Sequence, residues 1–409
     1  MRYALLLAQR FNKRDGRLLR IRAALKEAGY AVTSLAVDSG GEVHRDAETK
    51  DLRPRAIGLL MLVSQLIMAA IIAGYFSRFY PTLMTISFWT LIIAAAGLAS
   101  PLGRKYRNAL IARFCDKLGN YETIKTKFDL IWAVDPETLR LAKKLAERDS
   151  SKLVFDAHEY HREEAPGDEA RRAWVIREEE AAASRIDQWV TINASIAKLY
   201  VEAIPGSDPV VIRNAVDPRA LDRLSSPLRE AAGAGPDDHV LLYHGSLRSL
   251  RHLPTLVAAA NNLPGNWKLA LLGDGPLKAD LSKMNSPAIF LDPVGYADLP
   301  DWIAGADIGV ILYEDVGLNQ HYCSPNKLYE YIGLGLPLLT SDLPELRRFA
   351  QEQGCGRMVS ADITAESIAF EVSQISEKDL ARMKAACVKI SKTLSWTEEK
   401  AKLIKLVSA

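Results

Sequence analysis

Short, almost unbroken apolar runs of strand length recur along the chain, separated by longer stretches in which apolar positions return every three or four residues. The strand-like runs fall at residues 3–8, 31–37, 129–134 ("DLIWAV"), 152–157 ("KLVFDA"), 188–192 ("QWVTI") and 209–213 ("PVVIR"). Helical patterns occupy about 17–28, 136–147, 169–184 and 194–203. A stretch rich in Ala, Gly and Pro, "SSPLREAAGAGPDD", then precedes a second set of runs: "HVLLYHG", "WKLALLG", "AIFLDPV", "IGVILY" and "PLLTS". Strands alternating with helices predict parallel sheets joined by crossover helices. Two such sets predict two doubly wound α/β domains with a cleft between them: residues 1–215, then 216–390, with 391–409 as a closing helix. Ligands of such sheets bind beyond the carboxyl ends of the strands, which in the second set carry "HGSLRSLR", "GDGP" and "DPVGY".

Residues 56–100, "AIGLLMLVSQLIMAAIIAGYFSRFYPTLMTISFWTLIIAAAGLAS", break this pattern. A helix over 56–76 would be roughly 31 Å long, enough to cross a hydrocarbon core, and one over 82–99 roughly 27 Å. Arg78 and Pro81 separate the two, and Tyr75, Phe76, Phe79 and Tyr80 cluster there as an interfacial aromatic belt does. Lys50, Arg53 and Arg55 precede the segment, and Arg104, Lys105, Arg107 and Arg113 follow it, which puts both flanks on the cytoplasmic side. The expectation is an apolar helical hairpin in contact with membrane lipids, either crossing the bilayer or lying in its interface. Buried core helices are the alternative. A hairpin returns the chain to its starting side, so the flanking parts can still form one domain.

Composition narrows the classes. The chain has 409 residues, 48% apolar and 25% charged, as expected of a globular protein. Its net charge of +2 argues against a nucleic-acid binder. Cys115, Cys323, Cys355 and Cys387 form no CxxC pair, which speaks against disulfide frameworks and zinc ribbons. The run "YALLLA" after Met1 and Arg2 is too short for a signal-peptide core and reads as a first buried strand.

The candidate chemistry concentrates at the strand ends of the second set. In "HYCSPNKLYEYIGLGLPLLTSDLPEL", Ser324 is a good N-cap, Pro325 suits the first helical position, and the helix that follows ends before Gly335 and Pro337. The amides of Asn326 and Lys327 are then unpaired at a helix N-terminus, a site for an anion. Lys327 and Glu330 lie three apart on one face, cation first, an order that suits a phosphate followed by a sugar diol. Gly245 allows close backbone approach after "LLYH", with Arg248 and Arg251 beside the next helix start. Asp274-Gly275-Pro276 is a tight turn. His158 and His161 are also three apart, but find no third ligand at helical spacing beyond surface Glu163 and Glu164, so a metal centre is not expected.

With these pieces in order, the chain resembles the glycosyltransferases of family 4, which have the GT-B architecture of two facing Rossmann-like domains. The carrying stretches are "DGRLLRIRAALKEAGYAVTSLA", "KLVFDAHEY", "VVIRNAVD", "YHGSLRSLRHLPTLVAA", "LLGDGP", "VGYADLPDWIAGADIGVILY", "SPNKLYEYIGLGLPLLTSD" and "LSWTEEKAKLI", in the family's order over nearly the whole chain apart from the apolar segment. The resemblance implies an acceptor domain followed by a nucleotide-sugar domain, with the last helix crossing back to the first. It implies that Arg251, with Arg248 as second candidate, holds the donor diphosphate together with Gly245, Lys327 and the Ser324–Asn326 helix start. Fixed cations of this kind replace a metal, and no cofactor is expected. By the same resemblance Glu330 accepts from the ribose hydroxyls, Val294 packs on the base, and His158 is the catalytic histidine facing the donor sugar. The family's second glutamate, eight positions before the ribose-binding one, is here Tyr322; Asn319, His321 or a backbone group are the candidate stand-ins.

The expected activity is transfer of a sugar from a nucleotide-diphosphate donor to a lipid-linked, polyprenyl-type acceptor in polysaccharide or glycolipid synthesis. Retention of anomeric configuration is implied by the resemblance, and the apolar segment places the enzyme at the cytoplasmic face of a membrane, as in a bacterial inner membrane. Two alternatives stay open: a nucleotide-sugar epimerase of the same architecture, and a non-catalytic subunit of a polysaccharide assembly complex.

Overall fold

The computed structural model describes residues 1–9, 15–36, 49–51, 124, 126–220, 222–360 and 362–408. The apolar segment 56–100 and all its basic flank except Lys50 lie outside the described residues. Among the described residues, no helix is long and apolar enough to cross a membrane.

Two all-parallel sheets organise the chain. The first is formed by β1 (Arg2–Ala8), β2 (Tyr30–Ala36), β3 (Thr49–Asp51), β4 (Leu130–Val134), β5 (Lys152–Asp156), β6 (Gln188–Thr191) and β7 (Val210–Val211), in the order β3-β2-β1-β4-β5-β6-β7. The second is formed by β8 (His239–His244), β9 (Trp267–Leu272), β10 (Ile289–Leu291), β11 (Ile308–Ile311), β12 (Leu338–Thr340) and β13 (Gly356–Met358), in the order β10-β9-β8-β11-β12-β13. In each sheet the order reverses beside the first strand, which opens a crevice at that point.

The strands read as continuous apolar runs because helices cover both faces of each sheet. Alternate residues of one strand feed opposite cores. Leu5, Leu7, Ile131, Leu153 and Phe155 join one cluster, while Leu6, Leu130, Trp132 and Val154 join the other. The second sheet repeats this: Val240 and Leu242 face one way with Ala270 and Leu272, whereas Leu241 and Tyr243 face the other with Leu269 and Leu271. In-register parallel pairing, Leu6 with Trp132 and Leu242 with Ala270, keeps each layer continuous.

Several expected elements shift. The run at 209–213 supplies only the two-residue β7, and Pro293 stops "AIFLDPV" at β10. The polar edge strands β3 and β13 carry no apolar signal, since an edge needs only backbone partners on one side.

The closing residues divide between the two sheets. The helix Glu377–Ser391 buries Cys387 among second-domain residues, whereas the helix Trp396–Ser408 buries Leu403 and Val407 in the first-domain cluster with Leu6 and Trp132. Glu399 in that last helix accepts from the Arg213 guanidinium at 3.1 Å and from its amide at 3.0 Å, and the Tyr30 hydroxyl donates to the Val407 carbonyl at 3.0 Å.

A buried polar cluster fixes the carboxyl ends of the first sheet. Arg17 grips Asp156 bidentately at 2.6 and 3.0 Å and donates to the Ile212 carbonyl and Asn214 Oδ1, both at 2.9 Å. Trp132 Nε1 donates to the same carboxylate at 3.2 Å. With every partner satisfied, this network sets the loop that leaves β5 toward the cleft.

Candidate functional site

A cavity of about 640 Å³ lies between the carboxyl ends of the two sheets. His158 enters it from the first domain. Gly245, Arg248, Arg251, Val294, Ser324, Asn326, Lys327 and Glu330 enter it from the second. The fold thus brings His158 and the residues expected at the donor diphosphate, ribose and base to one cleft.

The second-domain wall starts where β8 ends. Gly245 has φ 113°, and its carbonyl oxygen would lie 2.0 Å from any Cβ placed on Gly273. A Cβ on Gly275 would stand 2.4 Å from the Leu247 carbonyl, while Leu247 N donates to the Asp274 carbonyl at 2.8 Å. The two loops stack backbone on backbone, so "GDGP" buttresses the loop that follows β8. Beyond it Arg251 is buried between two non-glycine residues in the left-handed region, Leu250 at φ 65° and His252 at φ 46°. Such conformations cost of order 1–3 kcal/mol each and persist where a side chain must be aimed. Here they lay the guanidinium over the Tyr313 ring, 4.1 Å from its centroid. Arg248, by contrast, is exposed.

Lys327 is buried with its Nζ 3.6 Å from the centre of the Tyr243 ring. Its ammonium rests on an aromatic face rather than against a carboxylate. Burial, reinforced by the Arg251 and Arg248 charges and opposed by Glu330, pushes its pKa well below the usual lysine value. Two cations held this way, one lysine and one arginine, describe a site that gains most when an anion arrives.

The helix behind them is Asn326–Gly333, with Pro325 as its N-cap. Ser324 was expected in that role. Its Oγ instead accepts from Asn193 Nδ2 of the first domain at 2.9 Å, because Pro325 takes an extended ψ of 155° and displaces the cap by one residue. The first amide to find a carbonyl is that of Leu328, on Pro325 at 3.0 Å, so the Asn326 and Lys327 amides still point to the cleft end.

One turn further on, Glu330 is 8% exposed, and its Oε2 lies 3.2 Å from His244 Nε2. The two atoms are close but not aligned for a hydrogen bond, and neither has another partner. Burial alone would raise this carboxyl, yet His244, Arg20 and Lys327 together hold it below the usual range, so it is ionised. Val294 is half-buried, packs on the second-domain core and lines the same cavity. Tyr296 crosses the cleft to accept from the Arg20 guanidinium, and its ring fills the space where a Cβ on Gly16 would sit.

The first-domain wall has a different character. His158 and Glu159 follow β5, and Asn319 ties them to the opposite domain: its Oδ1 accepts from the Tyr160 amide at 2.9 Å, and its Nδ2 donates to Glu159 Oε2 at 3.0 Å. The Leu318 amide also donates to Glu163 at 2.9 Å. Tyr322 packs against the first-domain core, and His321 pairs with Asp315 at 3.0 Å. Neither lines the cavity, whereas Glu159 and Asn319 do. The sequence reading passed over Glu159, although it stands directly after His158.

Deeper in this wall, His161 is 2% exposed and contacts Glu164 Oε2 through Nδ1 at 3.3 Å. Burial would lower its pKa, but Glu164 and Asp135 outweigh that and push it up to about 9. Glu164 in turn is opposed by burial and drawn by His161 and Arg171 down to about 2. Asp135, at the end of β4, has its pKa raised by burial in spite of the two imidazoles.

Comparison with known proteins agrees with this geometry. Residues 238–378 match the family model described as "Glycosyl transferases group 1". That stretch contains the whole second-domain wall. The sucrose-phosphate synthase of Thermosynechococcus elongatus superposes with a TM-score of 0.67 at 14% identity, covering 100% of this chain and 98% of that one. HepE from Anabaena, solved in complex with UDP and glucose, gives 0.66 at 14% identity over 100% of both chains. The lipopolysaccharide outer core galactosyltransferase WaaB, in its apo form, gives 0.55 at 12% identity over 99% of both. No curated protein matches the sequence. At these identities the likeness establishes the fold: two parallel-sheet α/β domains resembling GT-B glycosyltransferases.

Proposed function

We propose that this protein is a glycosyltransferase that takes a sugar from a nucleotide-diphosphate donor. One observation carries the reading: two buried cations on aromatic seats, Lys327 and Arg251, sit beside a helix N-terminus one turn before an ionised carboxylate, Glu330. A diphosphate would lie across Lys327, Arg251 and the Asn326 and Lys327 amides, with the ribose hydroxyls donating to Glu330 and the base against Val294. As the sugar–phosphate bond breaks, negative charge grows on the diphosphate. Fixed cations already aimed there stabilise that charge without reorganising, so the step needs no metal at the diphosphate.

The sugar would project toward the first-domain wall. There His158 faces it as the catalytic histidine, and Glu159, held by Asn319, supplies the carboxylate that Tyr322 does not. The UDP complexes of HepE make UDP the first nucleotide to test. The finer reading is a family 4 enzyme that retains anomeric configuration and takes a lipid-linked acceptor at the cytoplasmic face of a membrane. Residues 56–100 support this part: an enzyme anchored beside a membrane-confined acceptor gains effective concentration.

Calorimetric titration with UDP and GDP tests the donor site. Micromolar binding of one nucleotide, lost in Lys327→Ala and Glu330→Ala, supports it; no binding of either by folded protein overturns it. Product analysis without an acceptor separates transfer from epimerisation, since an epimerase changes the donor sugar alone. Sedimentation of a 56–100 deletion with membranes would count against the anchor.

A further inference from the structure

Behind His158, three potential ligand atoms from two strand ends converge. His158 Nδ1 lies 3.6 Å and His161 Nε2 3.9 Å from the same oxygen, Oδ1 of Asp135, and all three ligand atoms fall within 4.8 Å of one another. Both imidazole nitrogens are buried and without a hydrogen-bond partner. His161 is 2% exposed and turns its second nitrogen inward, its other nitrogen facing Glu164 at 3.3 Å, so a metal ion there takes the place of a proton. A carboxylate behind an imidazole is the arrangement that orients a metal-ligating histidine. Asp135 is held at φ 70°, the left-handed region that a non-glycine residue seldom adopts.

From this convergence we infer that Asp135, His158 and His161 form a binding site for a divalent transition-metal ion, with zinc as the cation of choice. With ligand bonds of about 2.0–2.2 Å, donor atoms around tetrahedral zinc stand roughly 3.3–3.6 Å apart, so closure shortens the two distances to Asp135 by up to about half an ångström and the third separation by up to about 1.4 Å, within reach of side-chain rotation. Two imidazoles and one carboxylate favour zinc, cobalt or nickel over magnesium or calcium, which prefer oxygen alone. The fourth position would face the cleft that His158 lines. The ion is not assigned to the diphosphate, which lies against the cationic wall of the other domain. Its consequence for turnover does rest on the proposed function: a ligated His158 is withdrawn from the donor sugar, so loading inhibits transfer and chelation restores it.

Binding is read without activity. Tag-free protein is stripped with EDTA, dialysed and titrated with Co²⁺, followed by visible absorption, and with Zn²⁺ by calorimetry. The expected result is one equivalent per chain, the strong visible bands of four- or five-coordinate cobalt, and displacement of cobalt by zinc. Asp135→Asn and His161→Gln should each abolish the bands, and Glu164→Gln should weaken binding by about 10–100-fold. Thermal unfolding of each variant shows whether it folds. An absent cobalt spectrum in wild-type protein overturns the site, as does binding that persists unchanged in folded Asp135→Asn. Neither result bears on nucleotide binding, which is measured separately with UDP.

Discussion

The two walls of the cleft are built on opposite principles. The second-domain wall concentrates positive charge, with Lys327 and Arg251 buried on the rings of Tyr243 and Tyr313 and a helix N-terminus behind them. The first-domain wall concentrates carboxylates and imidazoles: Asp135, His158, Glu159, His161 and Glu164. One wall thus offers the fixed positive charge that the proposed diphosphate site requires, while the other presents groups that can accept hydrogen bonds and exchange protons. On the proposed function, donor binding and chemistry fall to different domains, so substitutions on the two sides should fail in different ways.

The largest effect is expected from the cationic wall. Lys327→Ala removes a buried charge aimed at the diphosphate and should lower kcat/KM by about 10²–10³-fold, with UDP affinity falling in parallel. Steady-state kinetics beside UDP calorimetry checks this; unchanged UDP affinity would break the assignment of that wall to the diphosphate. Glu159→Gln, on the other wall, should reduce kcat by about 10²-fold while leaving the UDP dissociation constant within about threefold. A matching loss of UDP affinity would erase the distinction between the walls. Asn319→Ala leaves Glu159 in place but removes the amide that holds it at 3.0 Å. A loss of about 10-fold in kcat, of order one charged hydrogen bond, is expected there. Asn319→Asp, which sets a second carboxylate against Glu159, should be worse than alanine.

The two walls were also unequally legible in the sequence. The cationic wall could be read because its residues follow strand ends, and parallel α/β sheets place ligands there. Lys327 and Glu330 share one short helix, so their spacing alone sets their relative positions. The imidazole wall was partly hidden. His158 and His161 are near neighbours, but Asp135 reaches them only because β4 pairs with β5 in parallel register, Val134 beside Asp156. No helical spacing carries that information. Asn319 meets Glu159 across the domain interface, which a single-chain pattern cannot encode. The buried strands announced themselves as apolar runs, whereas β3 ("TKD") and β13 ("GRM") did not. The cap at Ser324 failed for a local reason, since the extended Pro325 is itself the capping residue and Asn193 claims the hydroxyl.

The smallest effect sharpens the comparison most, because it reads the electrostatics of one wall. Burial first, then Arg251 and Arg248, depress the Lys327 pKa, while Glu330 and Cys323 oppose them. In the proposed donor site the ammonium is the form that binds the diphosphate. Raising the pH through a depressed pKa removes that charge, so UDP affinity should begin to decline at a lower pH than an ordinary lysine would allow, no more steeply than about tenfold per pH unit. Removing a neighbouring positive charge relaxes the depression: Arg251→Gln should weaken binding at every pH and shift the decline upward. A guanidinium stays charged throughout, so Lys327→Arg should abolish the decline even if its geometry binds UDP less well. Calorimetric UDP titrations across the alkaline range decide the matter. A decline that survives unchanged in Lys327→Arg would mean that another group titrates, and the buried lysine would lose its place as the charge that meets the diphosphate.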